Sequence, residues 1–359
     1  MTAAVARLPL KKEDEIGSKD SIGKAEKEKP FVHSYIPINV AVAIGGHIVG
    51  LLGTYYLIAT LGWKTKLFAL FLSYCSGVFG VTCGAHRLWT HRSYKATLPL
   101  RLFYLFWATI AGQDDVIKWC RDHRSHHKWT DTDADPYGTQ NGYFFAHMGW
   151  LMCKKHPEVY RKGATLDLSD LYAERILVWQ RRLYVPLMVM ATFLLPAWLP
   201  HYWWGEDLFQ CMCASVARQL LSLHGTWSVN SAAHWAGNKP YDVDSTATEH
   251  KFFAWLTYGE GGHNFHHVFP NDYRNNELPY TINSSRFWIE LFVKMGLAYD
   301  LKVASKEVIR KTTIRREKRA KELGLEMIHH DIWAAEEAEE EEETTNTKED
   351  KQMESRKAA

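Results

Sequence analysis

The chain is 359 residues long, with a formal net charge of +2, and its 46% hydrophobic residues gather into a few long blocks between strongly charged ends. That distribution excludes a pair of evenly composed soluble domains, gives no ground for nucleic-acid binding, and reads as an integral membrane protein with soluble flanks. The mean hydropathy of −0.30 looks soluble only because it averages apolar spans with the charged segments at residues 11–30 and 335–359.

Residues 1–30 carry lysines and acids without an early apolar run, so no cleavable signal peptide is expected and residues 1–33 read as a cytosolic tail. Four later blocks reach the length of about 20 residues that a helix needs to cross the hydrocarbon core: residues 36–61, 67–86, 183–203 and 207–229. A turn with Lys64 and Lys66 separates the first two, and the stretch from His201 to Asp207, with Trp203 and Trp204, separates the last two. Each pair therefore reads as a helical hairpin. Residues 98–112 are apolar but short and carry Arg101, so they are expected to lie along the interface or pack on the spans. The fifteen Trp and seventeen Tyr suit either a membrane interface or the lining of an apolar tunnel. Cys75, Cys83, Cys120, Cys153, Cys211 and Cys213 form no CxxC pair and read as reduced thiols. After residue 300 a basic amphipathic stretch, IRKTTIRREKRAKEL, gives way to EEAEEEEE and polar residues, and about the last twenty-five residues are expected to be disordered. The domain reading is thus 1–33 tail, 34–300 membrane body with its cap, and 301–359 charged C-terminal segment.

Nine histidines carry the chemistry. In RDHRSHHKW, His123, His126 and His127 are spaced i, i+3, i+4 along one helical face, and GGHNFHH repeats this at His263, His266 and His267. In HRLWTH, His86 and His91 are five residues apart, about 140° on a regular α-helix, so both reach one centre only if the helix frays. His234 follows Asn230 by one turn in WSVNSAAH. With four crossings, all of these positions fall on one side. That side also holds Arg87, Arg92, Lys95, Arg121, Lys154, Lys155, Arg181 and Arg182, which makes it, and both termini, cytosolic.

Neutral imidazole binds iron, zinc and copper. Nine such residues suit two metals with four or five ligands each, Asn230 completing one shell directly or through water. Asp122, Asp131, Asp133, Asp135, Glu260 and Asp272 stand near enough in sequence to hold the second imidazole nitrogens, or to cap helices. His33, His47, His147, His156, His201, His224, His250, His329 and His330 lack such spacing and are read as structural or exposed. The fold class that follows is all-α, with four transmembrane helices in two hairpins beneath a cytosolic helical cap that carries a His-ligated two-metal site.

An all-histidine site beside apolar spans favours oxygen chemistry on a lipid over hydrolysis, which needs a placed base and a water-filled cleft. Two irons can activate O2 against an unactivated C–H bond. Neither a GxGxxG fingerprint nor a CxxCH haem site is present, so the electron donor is expected to be another protein. A fatty-acid hydroxylase, an acyl-lipid desaturase and a non-enzymatic metal-binding membrane protein or transporter are the alternatives.

In GAHRLWTHRSYKA, RDHRSHHKW with DADP, NSAAHWAGNKPYD and GEGGHNFHHVFP, the chain resembles membrane acyl-CoA desaturases of the stearoyl-CoA Δ9 type, animal form, from about Asn39 to Asp300. The resemblance implies an endoplasmic-reticulum enzyme. It would use two iron ions, O2 and electrons from cytochrome b5 and its reductase to place a cis double bond in a fatty acyl-CoA such as palmitoyl- or stearoyl-CoA. It implies that the nine histidines are the iron ligands, with Asn230 acting through water. Asn39, Asp114, Arg121, Asp122, Lys154, Lys155 and Trp227 match acyl-CoA contacts, with Arg121, Lys154 and Lys155 at the CoA phosphates and Trp227 at the acyl tunnel. The fused cytochrome b5 domain of fungal members is missing, and HPEV at 156–159 is not its HPGG motif. Three departures stand out. Asp114 replaces a usual Asn, Gly262 replaces an aromatic beside His263 and implies looser packing there, and Val78, one turn from Tyr74, replaces a small Ala at the blind end of the tunnel. The last implies a preference nearer sixteen carbons than eighteen.

Overall fold

The computed structural model describes residues 31–278 and 281–325, and the acidic run at 336–343 lies outside them, as do His329 and His330. Helix α1, Pro37–Ala59, starts with proline in its first turn, where the missing N–H costs nothing. At 23 residues it is about 35 Å long, enough for a bilayer core of about 30 Å. Its outward residues Ile38, Val42, Ile44, Ile48, Leu51 and Ile58 are exposed and apolar, a surface that suits lipid rather than water.

Helix α2 spans Trp63–Thr90 without a break. It is α-helical to Cys75 and π-helical from Ser76 to Thr90. Helices α3, Leu98–Ala111, and α4, Val116–Trp129, follow. Helix α5, Tyr184–Trp204, contains a π turn at Val189–Leu194, and α6 runs from Leu208 to Ser231. Among the described residues, three helices are long and apolar enough to cross a membrane, namely α1, α2 and α5. The expected fourth crossing is a helix of 24 residues at the expected place, but Gln210, Arg218, Gln219 and His224 lower its average hydropathy. Arg218 and Gln219 are buried, whereas Leu208, Phe209 and Leu221 face outward, so composition alone understates how apolar the outer surface of α6 is.

Close backbone approach builds the bundle. A Cβ at Gly53 of α1 would lie 2.0 Å from the Cys213 carbonyl oxygen of α6, and one at Gly80 of α2 would lie 2.5 Å from that of Trp107 in α3. Small residues of this kind let helices pack where no water is available to drive them together. The short apolar stretch of the sequence is α3. It packs Tyr104 and Trp107 against the π-helical half of α2 and leaves Leu102, Phe103 and Phe106 outward. Gly112, at φ +60, ends it in the left-handed region that glycine tolerates. Asp115 then caps α4 by accepting the Lys118 N–H at 3.0 Å.

The polar end is tied together by side chains. Arg124 of α4 grips Asp170 with two bonds of 2.9 and 2.7 Å and donates to the Trp89 carbonyl at 2.7 Å, fastening the short helices at Ser169–Ala173 and Arg175–Arg182 to the end of α2. After a short helix at Lys251–Leu256 come helix α7, His263–Val268, and helix α8, Ser284–Lys294. A two-residue antiparallel pair, Lys95–Ala96 with Ala298–Tyr299, joins the chain after His91 to the chain after α8. Helix α9, Lys306–Glu322, folds back through Ile309, which is buried against Phe265 and Tyr241, and through Arg316, which donates to the Lys239 carbonyl.

Candidate metal centre

The π winding of α2 resolves the spacing of His86 and His91. No fraying is needed: a π-helix bonds i to i+5, which brings residues five apart onto one face. The His91 N–H donates to the His86 carbonyl at 3.1 Å, Thr90 Oγ1 donates to the Ala85 carbonyl at 2.8 Å, and the two imidazole centroids lie 4.8 Å apart.

The nine histidines form two groups, one of His86, His91, His123, His127 and His266 and the other of His126, His234, His263 and His267, with the ligand atoms of each within 4.8 Å of one another. Neither HxxHH segment serves one group alone. On a helix i and i+4 lie about 40° apart, while i+3 falls about 60° to the other side of i. Accordingly α4 gives His123 and His127 to the first group and His126 to the second, and α7 gives His263 and His267 to the second and His266 to the first. The groups adjoin: the His127 and His267 rings stack with centroids 4.3 Å apart.

Within each group the Nε2 atoms converge. They stand 2.9 Å apart in His86 and His266, 2.9 Å in His266 and His127, 2.9 Å in His234 and His263, and 3.0 Å in His263 and His267. The Nδ1 atoms of His86, His126 and His234 face supporting groups, whereas those of His127, His263 and His266 are buried without a hydrogen-bond partner among the described residues. His86 Nδ1 meets Glu260 at 2.9 Å, and Glu260 also pairs with Arg87 at 2.9 Å and accepts from Asn275 at 2.8 Å. His126 Nδ1 meets Asp135 at 2.9 Å. His234 Nδ1 meets Thr246 Oγ1 at 2.8 Å, and Thr246 in turn donates to Asp131 at 2.6 Å. Of the six acids expected near the ligands, Glu260 and Asp135 act directly and Asp131 through a hydroxyl. Asp122 and Asp272 pair with basic side chains instead, and Asp133 approaches His156.

This arrangement fits metal ions. With Nδ1 of His126 donating its proton to a carboxylate, Nε2 carries a lone pair, and that atom is buried with no hydrogen-bond partner, as is His91 Nε2. A cation supplies what such lone pairs lack; ligands bonded to one ion at about 2.1 Å stand at most about 4.2 Å apart, slightly less than the 4.8 Å within which each group lies. Burial, and then the neighbouring imidazoles, push His123, His127, His263, His266 and His267 well below the usual imidazole range, keeping them in the neutral form that ligation requires. Burial alone would raise the Glu260 carboxyl, but His86 and Arg87 hold it at about 2. Asn230 is buried one turn before His234.

Gly262 does not loosen His263, which is 1% exposed. The Asn276 side chain occupies that space, so close that a Cβ on Gly262 would lie 2.2 Å from it.

On the adjoining face of α4, Asp122 collects three cations: Lys155 at 2.8 Å, Arg121 at 2.6 Å and Lys118 at 3.7 Å. Burial works against the Asp122 charge, yet these cations hold its carboxyl below the ordinary range. Asp114 bonds Lys118 and has φ +75, a conformation that Asn and Asp tolerate better than most residues. Lys154 is exposed, and Asn39 donates to the Leu151 carbonyl at 2.7 Å. Trp227 is buried beside His147 and His224, Val78 is fully buried, and Tyr74 accepts the Trp288 indole N–H at 2.8 Å.

The sequence reading missed Lys118 and Thr246. Lys118 is four residues from both Asp114 and Asp122, a legible i, i+4 signal; Thr246, twelve residues from His234, gave none. It also missed the chain that links His47 to His224 at 3.2 Å and His224 to His147 at 2.9 Å.

Residues 61–281 match the family model described as fatty acid desaturase. The chain is 49% identical to the Delta(9)-fatty-acid desaturase fat-6 of Caenorhabditis elegans, over 79% of this chain and 84% of that one. It is 44% identical to the stearoyl-CoA desaturase of Homo sapiens, over 84% and 86% of the two chains. It is also 44% identical to the (11Z)-hexadec-11-enoyl-CoA conjugase of Bombyx mori, over 81% and 88%. With two adjoining buried histidine groups at the ends of apolar helices and relatives of this identity along most of its length, the chain belongs to the membrane fatty acid desaturase family.

Proposed function

We propose that this protein is an acyl-CoA desaturase that places a cis double bond, at the Δ9 position, in palmitoyl- or stearoyl-CoA. The observation that carries this is the pair of histidine groups whose ring nitrogens converge in a buried site, in a chain so similar to Δ9 and stearoyl-CoA desaturases. Two iron ions are the proposed metals, one held by His86, His91, His123, His127 and His266, the other by His126, His234, His263 and His267 with Asn230 through water. Bound iron supplies O2 activation against an unactivated C–H bond, chemistry that no side chain performs alone. Electrons come from cytochrome b5 and its reductase.

The chain's own task is to hold the substrate at a fixed reach. Arg121, Lys154 and Lys155, with Asp122 positioning the first and last of these, face the CoA phosphates, and Asn39 and Asp114 lie near the head group. Trp227, Tyr74 and Val78 border the acyl chain, Val78 at its blind end. A head group anchored on one face of α4 and a methyl end stopped by α2 determine which carbons stand beside the histidines, so regiochemistry becomes a matter of measured distance. We further propose that α6 is a fourth crossing, paired with α5 as α1 is with α2. The histidine groups and both termini then lie in a cytosolic cap on the endoplasmic-reticulum membrane, the side richer in Lys and Arg.

The test is fatty-acid analysis, with double-bond localisation, of desaturase-deficient yeast expressing the chain with and without His126→Ala. New cis-9 16:1 or 18:1 is expected only from the intact chain. Oxygen retained in the lipid would make it a hydroxylase, and turnover by His126→Ala with full iron content would overturn the ligand assignment.

A further inference from the structure

A second ionisable group is buried far from the histidines along α6. Arg218 is 2% exposed and has no salt-bridge partner among the described residues. Its Nη2 donates to the Thr192 carbonyl at 3.0 Å, in the π turn of α5, and to Gln219 Oε1 at 3.1 Å. Its Nε and Nη1 are buried without any acceptor. Two unmade charged donors are expensive in a protein interior, and an ionisable side chain at membrane depth marks a binding function more often than a structural one.

The guanidinium borders a partly open crevice between α2, α5 and α6 that encloses only about 10 Å³, room for a single small polar group, and is lined otherwise mainly by apolar groups such as Phe68, Ala69, Leu72, Pro196 and Ala214. A mostly apolar cleft with one charged group is the make-up of a site for an amphiphile of opposite charge. Arg218 stands ten residues into α6, about 15 Å along a helix that crosses a core of about 30 Å. That depth selects among anions. A phosphate head group would have to leave the interface as an ion, whereas a carboxylic acid can enter neutral and ionise beside the guanidinium.

We propose that this cavity binds the carboxylate of an unesterified long-chain fatty acid, at a site separate from the histidine groups. The depth argument rests on α6 being a crossing; the site does not depend on iron or on desaturation. The test uses the full-length holoenzyme in phosphatidylcholine nanodiscs with the electron donor withheld. Palmitoyl-CoA is kept in excess to fill the substrate site, and palmitic acid labelled with ¹³C at its carboxyl is titrated in.

One saturable, ionised carboxyl signal per chain is expected, and Arg218→Gln should weaken it about tenfold or more. Because Arg218 also holds the Thr192 carbonyl, that variant can lose its fold. Ala69→Phe keeps the arginine and fills the cavity, and should abolish the same signal with iron content unchanged. Methyl palmitate, which has no anion, should not compete. The proposal is overturned if Ala69→Phe binds as the parent does, if the ester competes equally, if chloride or phosphatidylserine displaces the acid, or if no saturable signal appears. A protein that desaturates in yeast but gives no such signal retains the proposed reaction and loses this site alone.

Discussion

The five-histidine and four-histidine groups share α4 and α7 and differ in nearly everything else. The first takes its remaining histidines from the π-helical end of α2, inside the packed bundle; the second takes its remaining one, His234, from the turn that follows α6. Their supports differ as well. Glu260 holds His86 while neutralising the buried Arg87, so the first group is wired into the charge balance of the core. Asp135 holds His126 and accepts the Tyr137 N–H at 2.9 Å, without an ion pair to a Lys or Arg among the described residues, and a hydroxyl holds His234. One group is therefore braced by ionic structure and the other by local hydrogen bonds. The second is also one imidazole short, and the buried amide next to it in sequence is Asn230.

Substitutions in these supports can break that comparison. Glu260→Gln should have the largest effect, because it leaves Arg87 buried without its counter-ion, a loss of about 3–5 kcal/mol for a pair of this burial. A clear drop in the thermal midpoint, with iron falling from two per chain towards one, is the expected outcome. Loss of both irons together would mean that the groups are not separately supported. Asp135→Asn should weaken the second site about 10- to 100-fold in a chelator competition, as loss of a carboxylate behind a ligating histidine commonly does. Its thermal midpoint should change less than that of Glu260→Gln, since no buried cation is stranded. Thr246→Val, which removes a neutral hydroxyl, should act in the same direction and more weakly, and an effect as large as that of Asp135→Asn would show that Asp131 reaches the site through it.

Much of this site could be read from the sequence because its ligands recur at spacings that local helical geometry turns directly into proximity. The two HxxHH segments needed nothing more than the period of a helix. What the sequence withheld depended on less common local structure or on long-range packing. His86 and His91 meet only because α2 changes from α to π winding at Ser76, and no residue pattern in SGVFGVTCGAHRLWT signalled that change. The partners of the acids were equally hidden: Glu260, three residues from His263, instead finds His86 across 174 residues, and Asp272, five residues from His267, is taken by Arg274. Apolar length located α1, α2 and α5 because a long stretch of each averages apolar, whichever way its residues face. It placed α6 as well, at 207–229 against Leu208–Ser231, although Arg218 and Gln219, turned inward, lower the average hydropathy of that helix.

The smallest effect expected is also the one that isolates reach from chemistry. Val78 touches neither histidine group; it is fully buried in the π-helical part of α2, one turn beyond Tyr74, whose hydroxyl is fixed by the Trp288 indole. Val78→Ala removes two methyl groups from the proposed blind end of the acyl site. Discrimination between substrates that differ by a methylene is worth about 1–3 kcal/mol in an apolar pocket, so the ratio of 18:1 to 16:1 product should rise about tenfold. Iron content and total turnover should stay near those of the parent. An unchanged ratio would remove Val78 from the tunnel end. A changed ratio accompanied by iron loss would mean instead that the substitution had disturbed the π winding that aligns His86 with His91, and that α2 cannot vary its stop for the substrate independently of its ligands for the metal.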